Sequence, residues 1–365
     1  MNFNPNIFRA YDIRGIAYKD LTEEVVSYLG KSLGTIIRRN GDSSLILARD
    51  GRNSSPNISK WFSKGIKSTG CNIINIGIAP TPVLYFSTHK LQSTNGVMIT
   101  GSHNPSDYNG FKIVIQNKTL AGESIQEIKK QLENEDFDHG KGNETSQEIL
   151  STYLKEIKNN ISLSRPLKIA IDCGNGATSV LAKQCYEELG CEVEPLYCEL
   201  DGNFPNHHPD PSKPENLKDL ITKIHEKTLD VGLAFDGDGD RLGVVSSEGQ
   251  IIFPDKQMIL FSENILKKNK GSKIVFDVKC SQLLTKSIIQ NEGIPIMSKT
   301  GHSFIKEKIK ELGALLGGEM SGHIFFNDRW PGFDDAIYAG ARMLEIISQN
   351  PLGGKIFQDL PTLSS

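Results

Sequence analysis

Three stretches of this sequence set reactive side chains beside glycines at the ends of apolar runs. In LAFDGDGDRLGVV (233–245), Asp236, Asp238 and Asp240 alternate with Gly237 and Gly239 directly after an apolar strand. Carboxylates this crowded repel one another, which costs stability unless a cation neutralises them. The glycines let the backbone curl so that alternate side chains converge on one point. Hard oxygen donors select Mg²⁺, with Ca²⁺ or Mn²⁺ as alternatives, over soft metals. An EF-hand would need Gly sixth and Glu twelfth; those positions hold Arg241 and Ser247, so that loop is excluded. A phosphatase that phosphorylates the first Asp of a strand-end D-x-D pair is a closer rival, but the third Asp and Arg241 do not suit it. The plainer alternative is a polar turn with spare carboxylates. Beside an ion, Arg241 is suited to holding a phosphoryl oxygen.

The second stretch is GVMITGSHNPSDYNG (96–110), a strand running into turn-formers around Ser102. An acyl-transfer elbow would read G-x-S-x-G, and Thr-Gly-Ser-His-Asn-Pro does not. A serine can instead carry a phosphoryl group, and a phosphoserine dianion wants a divalent cation and basic neighbours. The three aspartates supply the first; Lys112 and Arg14 are candidates for the second. A plain Ser/Asn turn is the alternative. In the third stretch, GGEMSGH (317–323), Glu319 and Ser321 lie two apart, so an extended chain points them the same way. A carboxylate and a hydroxyl together suit the vicinal hydroxyls of a sugar, and His323 can shuttle a proton near neutral pH. A polar strand exit is the alternative here.

The elements that must position these groups follow from the hydrophobic pattern. Strand-like runs cover 44–52, 72–82, 96–101 and 110–115, with helical patterns at 22–39 and 57–69. The polar stretch 133–148 reads as a solvated connection. A second segment holds a strand in 166–177, a helix from Ser179 to Leu189, a Pro-rich loop at 202–216 and the strand 231–235. A third places strands in 272–281, 293–302 and 313–326. Strands running into ARDGR, DCGNG and DVKCS recur at similar places, a weak sign that one α/β unit is repeated three times. The fold class is therefore α/β: three consecutive similar domains (1–148, 149–250 and 251–365) with mixed, mostly parallel sheets and a cleft between them.

Composition agrees. With 365 residues the chain suits two to four domains, and 38% apolar content supports sizeable cores. A net charge of −3 with no basic run argues against a general nucleic-acid binder. The N-terminus has no apolar signal-like core, and no run approaches the ~18 apolar residues of a membrane span. Six scattered cysteines without a C-x-x-C pair read as reduced thiols, which points to the cytoplasm.

Taken together, FRAYDIRG (8–15), TGSHNP (100–105), NGFKI (109–113), GNFPNHHPDPSKPENL (202–217), DGDGDR (236–241), KTGHS (299–303) and GEMSGH (318–323) resemble the α-D-phosphohexomutase family along essentially the whole chain. The DGDGDR and GEMSGH variants resemble its phosphomannomutase/phosphoglucomutase branch. The resemblance implies that Ser102 is a phosphoserine and, with Asp236, Asp238 and Asp240, binds Mg²⁺. It implies that Glu319 and Ser321 contact sugar hydroxyls, and that Tyr11, Arg14, Lys112, Arg241, Lys279, His302 and His323 line the site. Arg14, Lys112 and His323 are the candidates for proton handling and charge stabilisation. Lys256 stands where an arginine is common, a minor departure. The HHPDP loop, with His207, His208 and Asp210, is expected to be structural rather than a second metal site.

The implied reaction moves a phosphoryl group between hexose 1-phosphate and hexose 6-phosphate, of mannose or glucose, through a 1,6-bisphosphate. Glucose 1,6-bisphosphate is the implied activator, and a monomer or homodimer acting on small sugar phosphates the implied state. The family carries a fourth, phosphate-clamping domain, and this chain stops about where the hinge into it is expected; its absence would remove remote binding energy. A sugar-phosphate phosphatase and a non-catalytic sugar-phosphate-binding remnant are the alternatives.

Overall fold

The computed structural model describes residues 3–361. The chain forms two compact units, one of residues 3–151 with 201–205, the other of 152–200 with 206–361.

In the first unit, seven strands make one sheet: β1 (Ile13–Ile16), β2 (Ser44–Arg49), β3 (Asn72–Ile78), β4 (Gly96–Ile99), β5 (Tyr108–Ile115), β6 (Lys118–Thr119) and β7 (Glu144–Ser146). Their order is β1-β5-β4-β2-β3-β7, with β6 beside β5. The β4-β2-β3-β7 part is parallel, whereas β5 runs antiparallel to both β1 and β4. Helices α1 (Glu23–Arg39), α2 (Ser55–Lys67), α3 (Thr81–Lys90) and α4 (Glu123–Asn134) connect the strands. Thr22 starts α1 by accepting from Val25 N–H, two glutamates lie in its first turn and two arginines in its last, so charge and cap both favour the helix. Val25, Val26, Leu29, Leu33 and Ile37 form the stripe that α1 buries in the core, beside Phe62, Ile66, Ile99 and Phe111.

Two readings of this half need correction. The polar stretch 133–148 is not only a connection: Glu144–Ser146 adds the edge strand β7, parallel to β3. Its side chains are exposed, so no apolar alternation marked it; Lys67 and Asn75 fix it through Glu144 at 2.8 and 2.9 Å. The run 72–82 stops being a strand at Ile78, and Thr81 begins α3 behind Pro80.

Helix α5 (Leu150–Asn160) leads into the second unit, which holds two sheets. The first has β8 (Lys168–Asp172), β9 (Glu192–Leu196), β10 (Val231–Phe235), β11 (Leu242–Ser246) and β12 (Ile251–Ile252) in the order β12-β11-β10-β8-β9. Helices α6 (Ala182–Glu188) and α7 (Lys218–Lys227) accompany it; the helix expected from Ser179 is split, with a 3-10 turn over Ala177–Val180 ahead of α6. After α8 (Pro254–Leu266) comes the second sheet: β13 (Lys273–Asp277), β14 (Ile294–Ser298), β15 (Leu316–Gly318) and β16 (Ile324–Phe326), ordered β14-β13-β15-β16. Its helices are α9 (Gln282–Gln290), α10 (His302–Leu312) and α11 (Ala336–Gln349). Both sheets repeat one plan, a parallel centre closed by an antiparallel strand. Buried almost along its whole length, α11 packs on β10 and β11 of one sheet and β16 of the other. It thereby fixes the loops at the ends of β10 and β15 relative to each other. All six cysteines are free thiols.

Candidate active site

In the first unit Ser102 begins the turn that follows β4. It is buried and sits at φ +50°, a region that side-chain-bearing residues rarely adopt. Its N–H donates to Thr100 Oγ1 at 2.8 Å, Gly101 N–H donates to Asp50 Oδ2 at 3.1 Å, and its hydroxyl lies 3.2 Å from His103 Nδ1. Two basic candidates rise from neighbouring strands. Arg14 on β1 pairs in register with Gly110 on β5, whose carbonyl accepts from Thr100 N–H. Lys112 lies two residues beyond Gly110, so both basic side chains leave the same face of the sheet. Lys112 is buried, and Arg14 is ion-paired with Asp12. Tyr11, half-buried, precedes β1.

In the second unit the DGDGD turn leaves β10 and returns as β11. Asp236, Asp238 and Asp240 are fully buried, and one oxygen from each lies within 4.8 Å of the others. Asp236 Oδ1 accepts three backbone N–H groups, from Gly239, Asp240 and Arg241, at 3.0–3.1 Å. One oxygen of Asp236 thus shapes the turn. Gly239 at φ +78° supplies the left-handed step, where a side chain would strain the loop. Neighbouring elements brace it: Ala177 N–H donates to Gly237 O at 2.9 Å, and Ala336, the first residue of α11, donates to Gly239 O at 3.2 Å. A buried trio of carboxylates with converging oxygens fits a small, hard divalent cation.

The GEMSGH stretch is a hairpin turn between β15 and β16, not an extended run, so the expected reason for pairing Glu319 with Ser321 is corrected. Glu319 N–H donates to His323 O and Gly322 N–H to Glu319 O, both at 3.0 Å. The turn brings both side chains to one atom: His323 Nδ1 lies 3.0 Å from Glu319 Oε2 and 2.9 Å from Ser321 Oγ. The other ring nitrogen, Nε2, faces Asp240 Oδ1 at 3.3 Å and Arg241 Nε at 3.4 Å. A β-bridge between Arg241 and His323, with Leu242 N–H donating to Gly322 O at 3.0 Å, locks the acidic turn to this hairpin.

Electrostatics follow from that contact. Burial works against a charged His323, and Arg241 opposes it too, but Asp240 and Glu319 together prevail and hold the imidazole at about 9. Burial also favours neutral Glu319, yet its bonds with His323 and the Gly301 N–H bring it below the usual carboxylate range. His302, first residue of α10, lies with its ring centre 5.5 Å from that of His323.

Two residues of this network carried no sequence signal. Asp334 is fully buried, accepts from Lys306 Nζ at 3.0 Å and lies 3.6 Å from His302 Nδ1. An i, i+4 pair on α10, His302 and Lys306, facing an Asp-Asp pair is the only pattern that could have pointed there. Lys279 is exposed on the turn after β13; that turn is tied to the hairpin through Asp277, which accepts from Met320 N–H at 3.4 Å. Lys256 is half-buried on α8. In the HHPDP loop, His207 Nε2 lies 3.0 Å from Asp172 Oδ2 and its Nδ1 3.0 Å from His208 O.

Fold and site together define a protein of consecutive α/β domains whose second unit is organised around a buried acidic turn. The sequence matches the family descriptions phosphoglucomutase/phosphomannomutase, alpha/beta/alpha domain I over residues 5–139, domain II over 151–249 and domain III over 253–361. A phosphomannomutase/phosphoglucomutase of Pseudomonas aeruginosa is 52% identical over 345 residues, covering 94% of this chain and 74% of that protein. A phosphoglucomutase of Neisseria gonorrhoeae is 48% identical, covering 98% of this chain and 78% of its own length. The crystal structure of a phosphoglucomutase/phosphomannomutase family protein from Burkholderia thailandensis superposes with a TM-score of 0.97 at 43% identity, over 99% of this chain and 81% of that one. The chain belongs to the phosphoglucomutase/phosphomannomutase family. Among the described residues no helix is long and apolar enough to cross a membrane.

Proposed function

We propose that this protein interconverts hexose 1-phosphate and hexose 6-phosphate, of glucose and mannose, as a phosphohexomutase. The mutase names of relatives near 50% identity favour this over a phosphatase or a binding remnant. The observation that carries the reading is the bolting of three buried aspartates to the Glu319–Ser321–His323 turn, which supports cation binding and polyol recognition side by side. Ser102 is the phosphoryl carrier. Asp236, Asp238 and Asp240, with phosphorylated Ser102, would hold Mg²⁺, which when bound would neutralise charge on the transferring group.

The chain's own residues do the rest. Glu319 and Ser321 take adjacent sugar hydroxyls, which leaves C2 unread and both epimers acceptable. His323, Lys112 and Arg14 move the proton of the attacking hydroxyl and balance charge. Arg241, Lys279, His302 and Tyr11 bind the substrate. Phosphorylated Ser102 gives its group to the free hydroxyl, and the resulting 1,6-bisphosphate returns its other phosphate to the serine. Glucose 1,6-bisphosphate serves as activator. The domains run 1–148, 149–250 and 251–365, and the protein works in the cytoplasm as a monomer or homodimer on small sugar phosphates.

The experiment is a coupled assay that reads glucose 6-phosphate formed from glucose 1-phosphate with Mg²⁺ and trace glucose 1,6-bisphosphate. Turnover that stops when the bisphosphate or Mg²⁺ is withheld supports the proposal. Release of inorganic phosphate without isomerised sugar refutes it.

A further inference from the structure

Arg52 is buried to 1% exposure, and its Nε donates to the carboxylate of Asp50, at 3.2 Å from Oδ2. Other donors go to four backbone carbonyls of a single loop. Nη2 donates to Ser102 O and Asn104 O, both at 2.7 Å, and Nη1 to Tyr108 O at 3.1 Å and to Pro105 O. The face of the guanidinium is covered as well, with the Phe204 ring centre 5.0 Å away, a cation–π contact. Phe204 belongs to the short segment 201–205 of this unit, which approaches through Gly202: a Cβ there would stand 2.6 Å from Asn53 N and 2.8 Å from Arg52 Cα. Asn53 Nδ2 donates to Asn203 Oδ1 at 2.8 Å and ties the segment down.

We propose that Arg52, capped by Phe204, is the positioning residue of the Ser102 loop, an inference that rests on Ser102 being the phosphoryl carrier. A buried ion pair with Asp50 would need only the carboxylate. Four further bonds, all to residues 102–108, define a template for one backbone path. That path keeps Ser102 at φ +50°, which the chain would not hold unaided. It also turns the Ser102 and Asn104 carbonyl oxygens inward onto a cation. A phosphoryl dianion on the serine hydroxyl therefore does not meet those two negative dipole ends. Lysine cannot substitute, because a point-charge ammonium has three donors and no planar fork.

The test follows phosphoryl transfer from glucose 1,6-bisphosphate to the protein by intact mass, reading rate constant and final stoichiometry separately. Misplacement of about 1 Å costs on the order of 100-fold, so Arg52→Lys is expected to slow phosphorylation by about that factor while the folded fraction still reaches one phosphoryl group per chain. The KM for the bisphosphate should stay within about twofold, and amides 101–108 should exchange hydrogen faster. A merely structural arginine would lower the stoichiometry and leave the rate constant of the folded fraction unchanged, which overturns the proposal. Phe204→Leu removes the ring while sparing the hydrogen bonds and carries the same test where Arg52→Lys does not fold; a wild-type rate in it also overturns the proposal. Ser102→Ala separates the two claims. Its failure to gain mass supports the carrier reading, and a gain would refute that reading whatever the Arg52 variants do.

Discussion

Removing one charge from the acidic turn should have opposite effects with and without a cation. The three buried carboxylates place one oxygen each within 4.8 Å of the others. At an effective dielectric of about 20, two unit charges at that distance repel by about 3.5 kcal/mol. His323 offsets part of this through Asp240, 3.3 Å from its Nε2. Asp238→Asn, which is nearly isosteric, is therefore expected to stabilise the metal-free protein by about 1–3 kcal/mol. For a unit of this size each kcal/mol moves Tm by about 2–4 °C. Mg²⁺ at a thousand times its Kd should add about 4.1 kcal/mol to the wild type, and the variant should gain little. The assay is thermal unfolding in EDTA and in saturating Mg²⁺. In EDTA the variant should melt above the wild type, and in Mg²⁺ below it. An equal loss of stability in both buffers would refute the argument that cation binding relieves carboxylate crowding.

The remaining expectations concern residues around the turn. Asp334→Ala removes the carboxylate 3.0 Å from the mostly buried Lys306 ammonium and 3.6 Å from His302 Nδ1, so a loss of about 3–5 kcal/mol is expected in urea unfolding, with slowed turnover. Burial opposes the charge on His207, but Asp172 prevails and raises its pKa. Its stabilising contribution is therefore full below about 6.5 and fades as pH climbs through the higher folded value. The stability gap between wild type and His207→Gln should accordingly be wider at pH 6 than at pH 9, and a gap that widens with pH would contradict the pairing.

What could be read from the sequence was whatever local chemistry forces. Asp236, Asp238 and Asp240 announce themselves because glycines interleave them after an apolar strand, and Ser102 because turn-formers follow β4. Distance along the chain hid the rest. Lys306 on α10 meets Asp334, just ahead of α11, only through the tertiary fold. Arg52 ends ARDGR, but nothing local says that a guanidinium will gather carbonyls about fifty residues away. Glu319 and Ser321 meet at His323 through a hairpin turn rather than the extended strand that their spacing suggests. The edge strand β7 has only exposed side chains, and periodicity cannot mark a strand that buries nothing.

The central claim is that one serine carries the phosphoryl group. Peptide mapping after incubation with ³²P-labelled glucose 1,6-bisphosphate tests it directly, followed by a chase with unlabelled glucose 6-phosphate. Label is expected on the peptide bearing Ser102, discharged into glucose bisphosphate by the chase. Label on any other residue, or label that leaves only as inorganic phosphate, would contradict the claim.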